Sequence, residues 1–246
     1  ILVANERITQ GNRMSFYGPP PEKLGEVITL LSKVRQNYAD VGANVFAADN
    51  LLALARNLGL MENQPFSEAF ARNATDKKDS DKIWRLHTYC WTGRAALSVP
   101  DDFVECGVYK GFYSSTLLDY IDFKSVDKRM FLYDTFTGLD DNYSEAAEHK
   151  NVSGAYDNIK NWHQDVVTRF ADYSRVKVVR GVVPEVLSED SPSQIAFLHL
   201  DMNAAVAEVT ALEVLSERVS NGGLIMMDDF GRSENILLHL GLSKWM

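Results

Sequence analysis

The chain has 246 residues, enough for one sizeable hydrophobic core plus an appendage. Hydrophobic residues make up 46% and charged residues 24%, the balance of a folded domain rather than a disordered one. A formal net charge of -9, with no basic stripe interleaved with aromatics, argues against nucleic acid or an anionic membrane as the main partner.

The first hundred residues carry helical periodicity and no strand–helix alternation. Gly18-Pro19-Pro20-Pro21 stops the chain and starts a helix over Glu22–Tyr38, whose Leu24, Val27, Ile28, Leu31 and Val34 fall at helical spacing. A second helix is predicted over Asp49–Leu58 and a short third over Pro65–Asn73. Thr75–Lys82 is charged and polar and reads as a loop and hinge. Asp81–Leu97 reads as a fourth helix that feeds the next element through Ser98-Val99-Pro100. Residues 1–99 are therefore expected to form a helical N-terminal extension, acting as a lid over a ligand crevice or as a dimer contact in a homo-oligomer.

From residue 100 onward, strands and helices alternate. In Val104–Ser115 (VECGVYKGFYSS) an apolar run ends in Glu105 and Cys106, Gly107 and Gly111 follow, and a helical stretch begins. A strand–glycine turn–helix junction exposes backbone N–H groups at the positive end of a helix dipole, where a ligand can approach closely. The spacing is Gly-x3-Gly, unlike the Gly-x-Gly-x2-Gly of dinucleotide binders, and an acid at the strand end suits a cationic ligand better than a pyrophosphate. Met130–Asp134 ends in Asp134, where a carboxylate can accept two hydrogen bonds from a ribose diol. Val176–Val179 leads into Arg180-Gly181, Ile195–Leu200 ends in Asp201, and Gly223–Met227 ends in Asp228-Asp229. Any one of these acids could be a helix cap or a solvated loop residue. At the strand ends of a single parallel sheet they converge on the edge where open α/β sheets bind ligands.

Neither Cys90 nor Cys106 has the spacing of a metal knuckle, and both read as reduced thiols. The sequence lacks an apolar run of about eighteen residues and a signal-peptide plan, so a cytoplasmic protein without membrane contact is expected. It begins at Ile1 rather than Met, and its true start is expected upstream. Trp84, Tyr89 and Trp91 share one predicted helix, and Tyr156, Trp162 and His163 cluster before the third strand; such rings are usually core. Phe136, just after the ribose acid, is placed to touch an adenine. Tyr143 through Trp162 is polar and irregular, as an acceptor-side loop would be.

Three segments, VECGVYKG (Val104–Gly111), FLYDTFTGLDD (Phe131–Asp141) and the pairing of HLD (His199–Asp201) with GGLIMMDDFG (Gly222–Gly231), resemble the macrocin-type sugar O-methyltransferases. RGVVPEVL (Arg180–Leu187) resembles the same family's turn before the fourth strand. The resemblance covers roughly residues 84–235. It implies a Rossmann-like, doubly wound, mostly parallel sheet of the class I methyltransferase type over 100–246. It also implies S-adenosylmethionine, Mg²⁺ or another divalent metal, and a glycosylated small-molecule acceptor. The cofactor-binding set it implies is Glu105, Gly107, Tyr109, Gly111, Ser114, Asp134, Thr135, Phe136 and Gly181, with Asp201, Asp228 and Asp229 as metal triad. Hard carboxylate oxygens suit Mg²⁺ and leave positions for water and substrate.

Two departures stand out. Where the family has a second acid two residues after its first metal ligand, this chain has Asn203, and an amide takes up no proton near neutral pH. The base is then His199, Asp201 itself, a metal-bound hydroxide or none, and a strand histidine such as His199 is more often a core residue. A catalytically silent relative is the alternative reading; a nicotinamide dehydrogenase is disfavoured by the missing third glycine and by Glu105. The second departure is length: Arg232–Met246 suffices for one helix, where methyltransferases of this fold continue with a helix and a reversed hairpin. Either the end is missing from this chain or the sheet is shorter.

Overall fold

Five short apolar runs, each followed by a helical stretch, pair in register into a single parallel sheet. A computed structural model describes residues 21–49, 51–75, 77–152, 154–156, 160–188, 190–228, 230 and 236–245. The chain divides into two compact units, Ile1–Thr88 and Tyr89–Met246. The division falls inside one helix, Ile83–Ala95.

In the first unit, helix α1 (Pro21–Ala39) forms as its apolar spacing predicts. The predicted helix over Asp49–Leu58 does not form. Val45–Ala48 (β1) and Leu51–Leu54 (β2) instead pair antiparallel, with Ala48 opposite Leu51. Asp49 takes a left-handed φ of 53° at the turn, a conformation Asp tolerates better than most residues. Arg85 clamps this corner, its guanidinium 2.5 and 2.7 Å from the two carboxylate oxygens of Asp49. Helix α2 (Gln64–Asn73) is capped by Asn63, whose side chain accepts the Phe66 N–H at 3.2 Å. The expected polar loop at Thr75–Lys82 contains a short helix, α3 (Lys77–Asp81). Its Asp79 is buried and accepts hydrogen bonds from the Thr75 amide and hydroxyl at 2.8 and 3.1 Å, which is why so polar a segment can order. Helix α4 (Ile83–Ala95) follows.

The second unit holds the sheet, formed by β3 (Asp102–Cys106), β4 (Met130–Asp134), β5 (Val176–Arg180), β6 (Ile195–Leu200) and β7 (Val219–Met227). Its order is β5-β4-β3-β6-β7, and every pairing is parallel. All six residues of β6 are buried, as a central strand covered on both faces requires. The edge strands β5 and β7 are only partly buried. Strand β7 begins earlier than predicted, because Val219 pairs with Ile195 ahead of a register shift before Leu224, in a stretch where Gly222 has φ 84°. The connecting helices are α5 (Phe112–Tyr120), α6 (Ala146–Asn151), α7 (Trp162–Arg169), α8 (Ala205–Leu215) and α9 (Ile236–Trp245). The short α6 lies within the stretch expected to be irregular.

The chain lays down β3 centrally, runs outward through β4 and β5, then returns to the other side of β3 with β6 and β7. The order therefore reverses between β3 and β6, and a crevice opens at the carboxyl ends of such a pair. Among the described residues no helix is long and apolar enough to cross a membrane.

Candidate active site

Glu105 and His199 are register partners on β3 and β6, and each strand's alternation carries its next functional residue to the same face two positions on. On β3 that residue is Gly107, with φ 91° and its amide donating to the Tyr133 carbonyl at 2.9 Å. A Cβ there would lie 1.8 Å from the Asp201 carbonyl oxygen, so glycine is required where two strand ends meet. The sequence suggested that this glycine leaves room for a ligand; in the structure the neighbour is the protein's own backbone. Gly111, with φ 76°, caps α5, and a Cβ on it would meet the Phe170 ring at 2.8 Å.

The amides between these glycines are not bare. Asp134 reaches across from β4, and its Oδ2 accepts the Val108 and Tyr109 N–H groups, each at 2.8 Å. Its Oδ1 accepts the Phe136 N–H at 2.7 Å. Burial pushes the Asp134 carboxyl above the usual aspartate range, and the backbone donors oppose that rise. A carboxylate has about four lone-pair sites, so roughly one remains for a ribose hydroxyl. Thr135 closes the next turn, its hydroxyl donating to the Gly138 carbonyl at 2.6 Å. Gly181 donates its amide to the Asp134 carbonyl at 3.0 Å, and a Cβ on it would meet Val186 at 2.7 Å.

Tyr109 and Phe136 both hold left-handed backbone, with φ of 50° and 54°. Non-glycine residues in that region mark loops whose surroundings fix them. Their rings meet Trp162, at centroid distances of 5.5 and 6.0 Å, and the Trp162 indole N–H donates to the Tyr109 carbonyl. Tyr156 stacks on Trp162 at 5.5 Å, and Phe136 lies 4.9 Å from the His163 ring. Phe136, the expected adenine neighbour, is thus a buried member of an aromatic wall beside the turn.

Below the turn, Glu105 is only 2% exposed. Its Oε2 accepts from the Ser114 hydroxyl and from Tyr89 at 3.5 Å, and its Oε1 lies 3.1 Å from His199 Nδ1. Burial raises the Glu105 carboxyl above its ordinary range, and the His199 contact opposes the rise. Ser114 and His199 are fully buried. Glu105, expected near the methionine part of a cofactor, thus bonds Ser114, Tyr89 and His199, and His199 lies in the core with Nδ1 toward that carboxylate.

On the crevice side of His199 stand the strand-end acids. The Asp201 amide donates to the Cys106 carbonyl at 2.9 Å, and the Asp228 amide to the Leu200 carbonyl at 3.0 Å, so both ladders extend to these residues. One ligand atom each from His199, Asp201 and Asp228 lie within 4.8 Å of one another, a spacing able to hold a metal ion. Asp229, the third expected ligand, lies outside the described residues. Asn203 sits at φ 56° with its amide nitrogen 3.5 Å from Asp201 Oδ1.

Two residues missed in the sequence organise this loop. Glu208 is 1% exposed, and its Oε1 accepts the Met202 and Asn203 amides at 3.0 and 3.1 Å. The Glu148 Oε1 accepts the Ala205 amide at 2.7 Å, and its Oε2 accepts the Glu145 amide at 2.8 Å. Ala204 has no polar side chain to cap α8; Glu148 serves the first helical amide instead, and Glu208 holds the loop just before it. An acid in the otherwise apolar first turn of α8 was the available signal for Glu208. Nothing local announces Glu148, which arrives from the distant helix α6.

A family model for macrocin O-methyltransferases (TylF) matches residues 82–240. Among solved structures, the O-methyltransferase NovP superposes with a TM-score of 0.57 at 21% identity, over 68% of this chain and 72% of that one. The calicheamicin methyltransferase CalS11 superposes with a TM-score of 0.49 at 16% identity, over 75% and 84% of the two chains. No curated protein matches the sequence. The likeness to NovP establishes the Rossmann-like methyltransferase fold.

Proposed function

Since the chain belongs to the macrocin O-methyltransferase family, an S-adenosylmethionine-dependent one, we propose that it methylates a hydroxyl of a sugar or glycosylated small molecule with the help of a divalent cation. The observation that carries this reading is the grouping of His199, Asp201 and Asp228 at the carboxyl ends of β6 and β7, next to the glycine turn of β3. The sulfonium cofactor supplies an activated methyl group, and the cation supplies Lewis acidity toward the acceptor hydroxyl. Methyl transfer is an in-line displacement, so most of what the protein contributes is position.

Position is what the turn provides. Asp134 fixes the Val108–Tyr109 amides and offers its remaining lone pair to a ribose hydroxyl. In the aromatic wall, Phe136 and Trp162 are buried and brace Tyr109, whose partly exposed ring would meet an adenine. Gly107 brings this half of the site against Asp201, so donor and acceptor sides share one backbone contact. Asp201 and Asp228, with Asp229 by family resemblance, would hold the cation. Of the candidate bases, Asp201 is partly exposed and could take the acceptor proton on the oxygen that does not face the cation, whereas His199 is fully buried and Asn203 has no basic atom.

The test is calorimetric titration with S-adenosylhomocysteine, then methyl transfer to glycosylated acceptors with Mg²⁺ and with chelator. Binding in the micromolar range, roughly 7–9 kcal/mol, and chelator-sensitive transfer are expected. Chelator-insensitive transfer would make the acids structural. Cofactor binding with no transfer to any glycosylated acceptor would mark a silent relative, and binding of NAD alone would sink the reading.

A further inference from the structure

Nδ1 of His199 faces Glu105 Oε1 at 3.1 Å, while Nε2, fully buried, has no hydrogen-bond partner. A buried polar atom left in that state costs free energy and calls for an explanation. With Nδ1–H donating to the carboxylate, Nε2 carries a lone pair. The same ring contributes to the cluster with Asp201 and Asp228, where ligand atoms stand within 4.8 Å of one another. The topology produces this: Asp201 follows His199 by two positions on one face of β6, and the β6–β7 register sets Met226 opposite His199, which carries Asp228 to the level of Asp201. Neither carboxylate has a proton to donate to a lone pair on Nε2, whereas a cation held in the cluster would satisfy that nitrogen.

We propose that His199 is itself a ligand of the divalent cation, through Nε2, and that Glu105 holds it in a carboxylate–imidazole–metal chain. This rests on the metal reading above and deepens it, assigning His199 in addition to the family's carboxylates. Such chains fix the tautomer and ring orientation and raise the ligand's basicity. The ring is braced for that role: Tyr89 packs edge-on at 4.6 Å, Tyr113 stacks at 6.0 Å, and Phe197 stacks at 6.4 Å. A nitrogen ligand has a chemical consequence. Mg²⁺ takes hard oxygen ligands, whereas imidazole favours first-row transition cations, so the site binds Mn²⁺ more tightly than Mg²⁺.

The experiment is pulsed electron paramagnetic resonance on the full chain loaded with Mn²⁺, with Mn²⁺ and Mg²⁺ affinities from calorimetry. The wild type is expected to show ¹⁴N modulation from a directly bound imidazole, and Mn²⁺ affinity at least about tenfold above that for Mg²⁺. His199→Gln abolishes the modulation. Glu105→Gln keeps it and lowers Mn²⁺ affinity by about 10–100-fold. Should either variant fail to fold, the wild-type spectrum decides alone. Bound Mn²⁺ without nitrogen modulation overturns the role of His199 and leaves a carboxylate site standing. No Mn²⁺ binding overturns both this inference and the metal reading, and modulation that persists in His199→Gln assigns the signal to another nitrogen and overturns the inference.

Discussion

The α-carbon of Gly107 stands so close to Asp201 that a single methyl group on it would lie 1.8 Å from the Asp201 carbonyl oxygen. One contact thereby joins the turn that follows β3 to the loop that follows β6. Gly107→Ala is expected to cost at least about 3 kcal/mol, through backbone displacement and a φ of 91° that alanine tolerates poorly. Urea unfolding reads that loss. Because the clash is with Asp201, the variant should lose cation binding as well as cofactor binding. Loss of cofactor binding alone, with stability and cation affinity intact, would return the glycine to a purely ligand-facing role.

Asp134→Asn tests the second junction. An amide has a single oxygen acceptor, so it cannot serve donors on both sides, and stranding one buried N–H costs about 1–3 kcal/mol. Cofactor affinity should fall about tenfold or more. The pH dependence has a definite sign. Burial raises the Asp134 carboxyl in the folded state, so its contribution to stability is full below the ordinary aspartate range and is lost as pH rises through the folded value. The stability gap between wild type and Asp134→Asn should therefore narrow as pH rises from the ordinary aspartate range through the raised folded value. A gap that widens over that range would show the backbone donors outweighing burial.

Asp228→Asn removes a hard oxygen charge from the cation cluster while leaving the Asp134 turn untouched. Affinity for Mn²⁺ should drop by about 10-fold or more, and S-adenosylhomocysteine affinity should change by less than about twofold. Parallel calorimetric titrations of both ligands decide it, and equal losses in the two would make Asp228 a structural residue.

Asn203→Asp restores an acid 3.5 Å from Asp201 Oδ1. Two carboxylates that close cannot both ionise freely, so one is lifted toward neutrality and becomes a better base. Asp also tolerates the left-handed backbone found there. Turnover should rise by about 10²-fold or more if deprotonation limits the wild type. Single-turnover methyl transfer measures it, and an unchanged rate would mean that the acceptor proton already leaves by another route.

Much of this site could be read from residue order alone, because parallel strands end where their apolar runs end. Glu105, Asp134, Asp201 and Asp228 each close a run, and all four strand ends stand as the sequence has them. What residue order does not encode is the direction a side chain faces. Glu105 turns inward to Ser114 and His199, and Asp134 turns toward the amides that were expected to be open. The hairpin at Val45–Leu54 escaped notice because apolar residues on a short two-stranded ribbon satisfy helical spacing too. Glu148 was invisible for a different reason: its partner, Ala205, is fixed only by tertiary structure.

The Glu148 carboxylate accepts from Ala205 with one oxygen and from Glu145 with the other, so the starts of α6 and α8 hold a single anion between them. Nearby, the Ser144 hydroxyl lies 2.8 Å from His149 Nε2, which is 3.3 Å from Asp141 Oδ1. The segment that follows Asp134 is therefore fastened to the segment that carries Asp201. Thermodynamic linkage makes such a fastening work in both directions. If acceptor binding through residues 140–149 changed cation affinity by some factor, the cation would change acceptor affinity by that same factor. A bond between the two segments that could carry such coupling is the one made by Glu148.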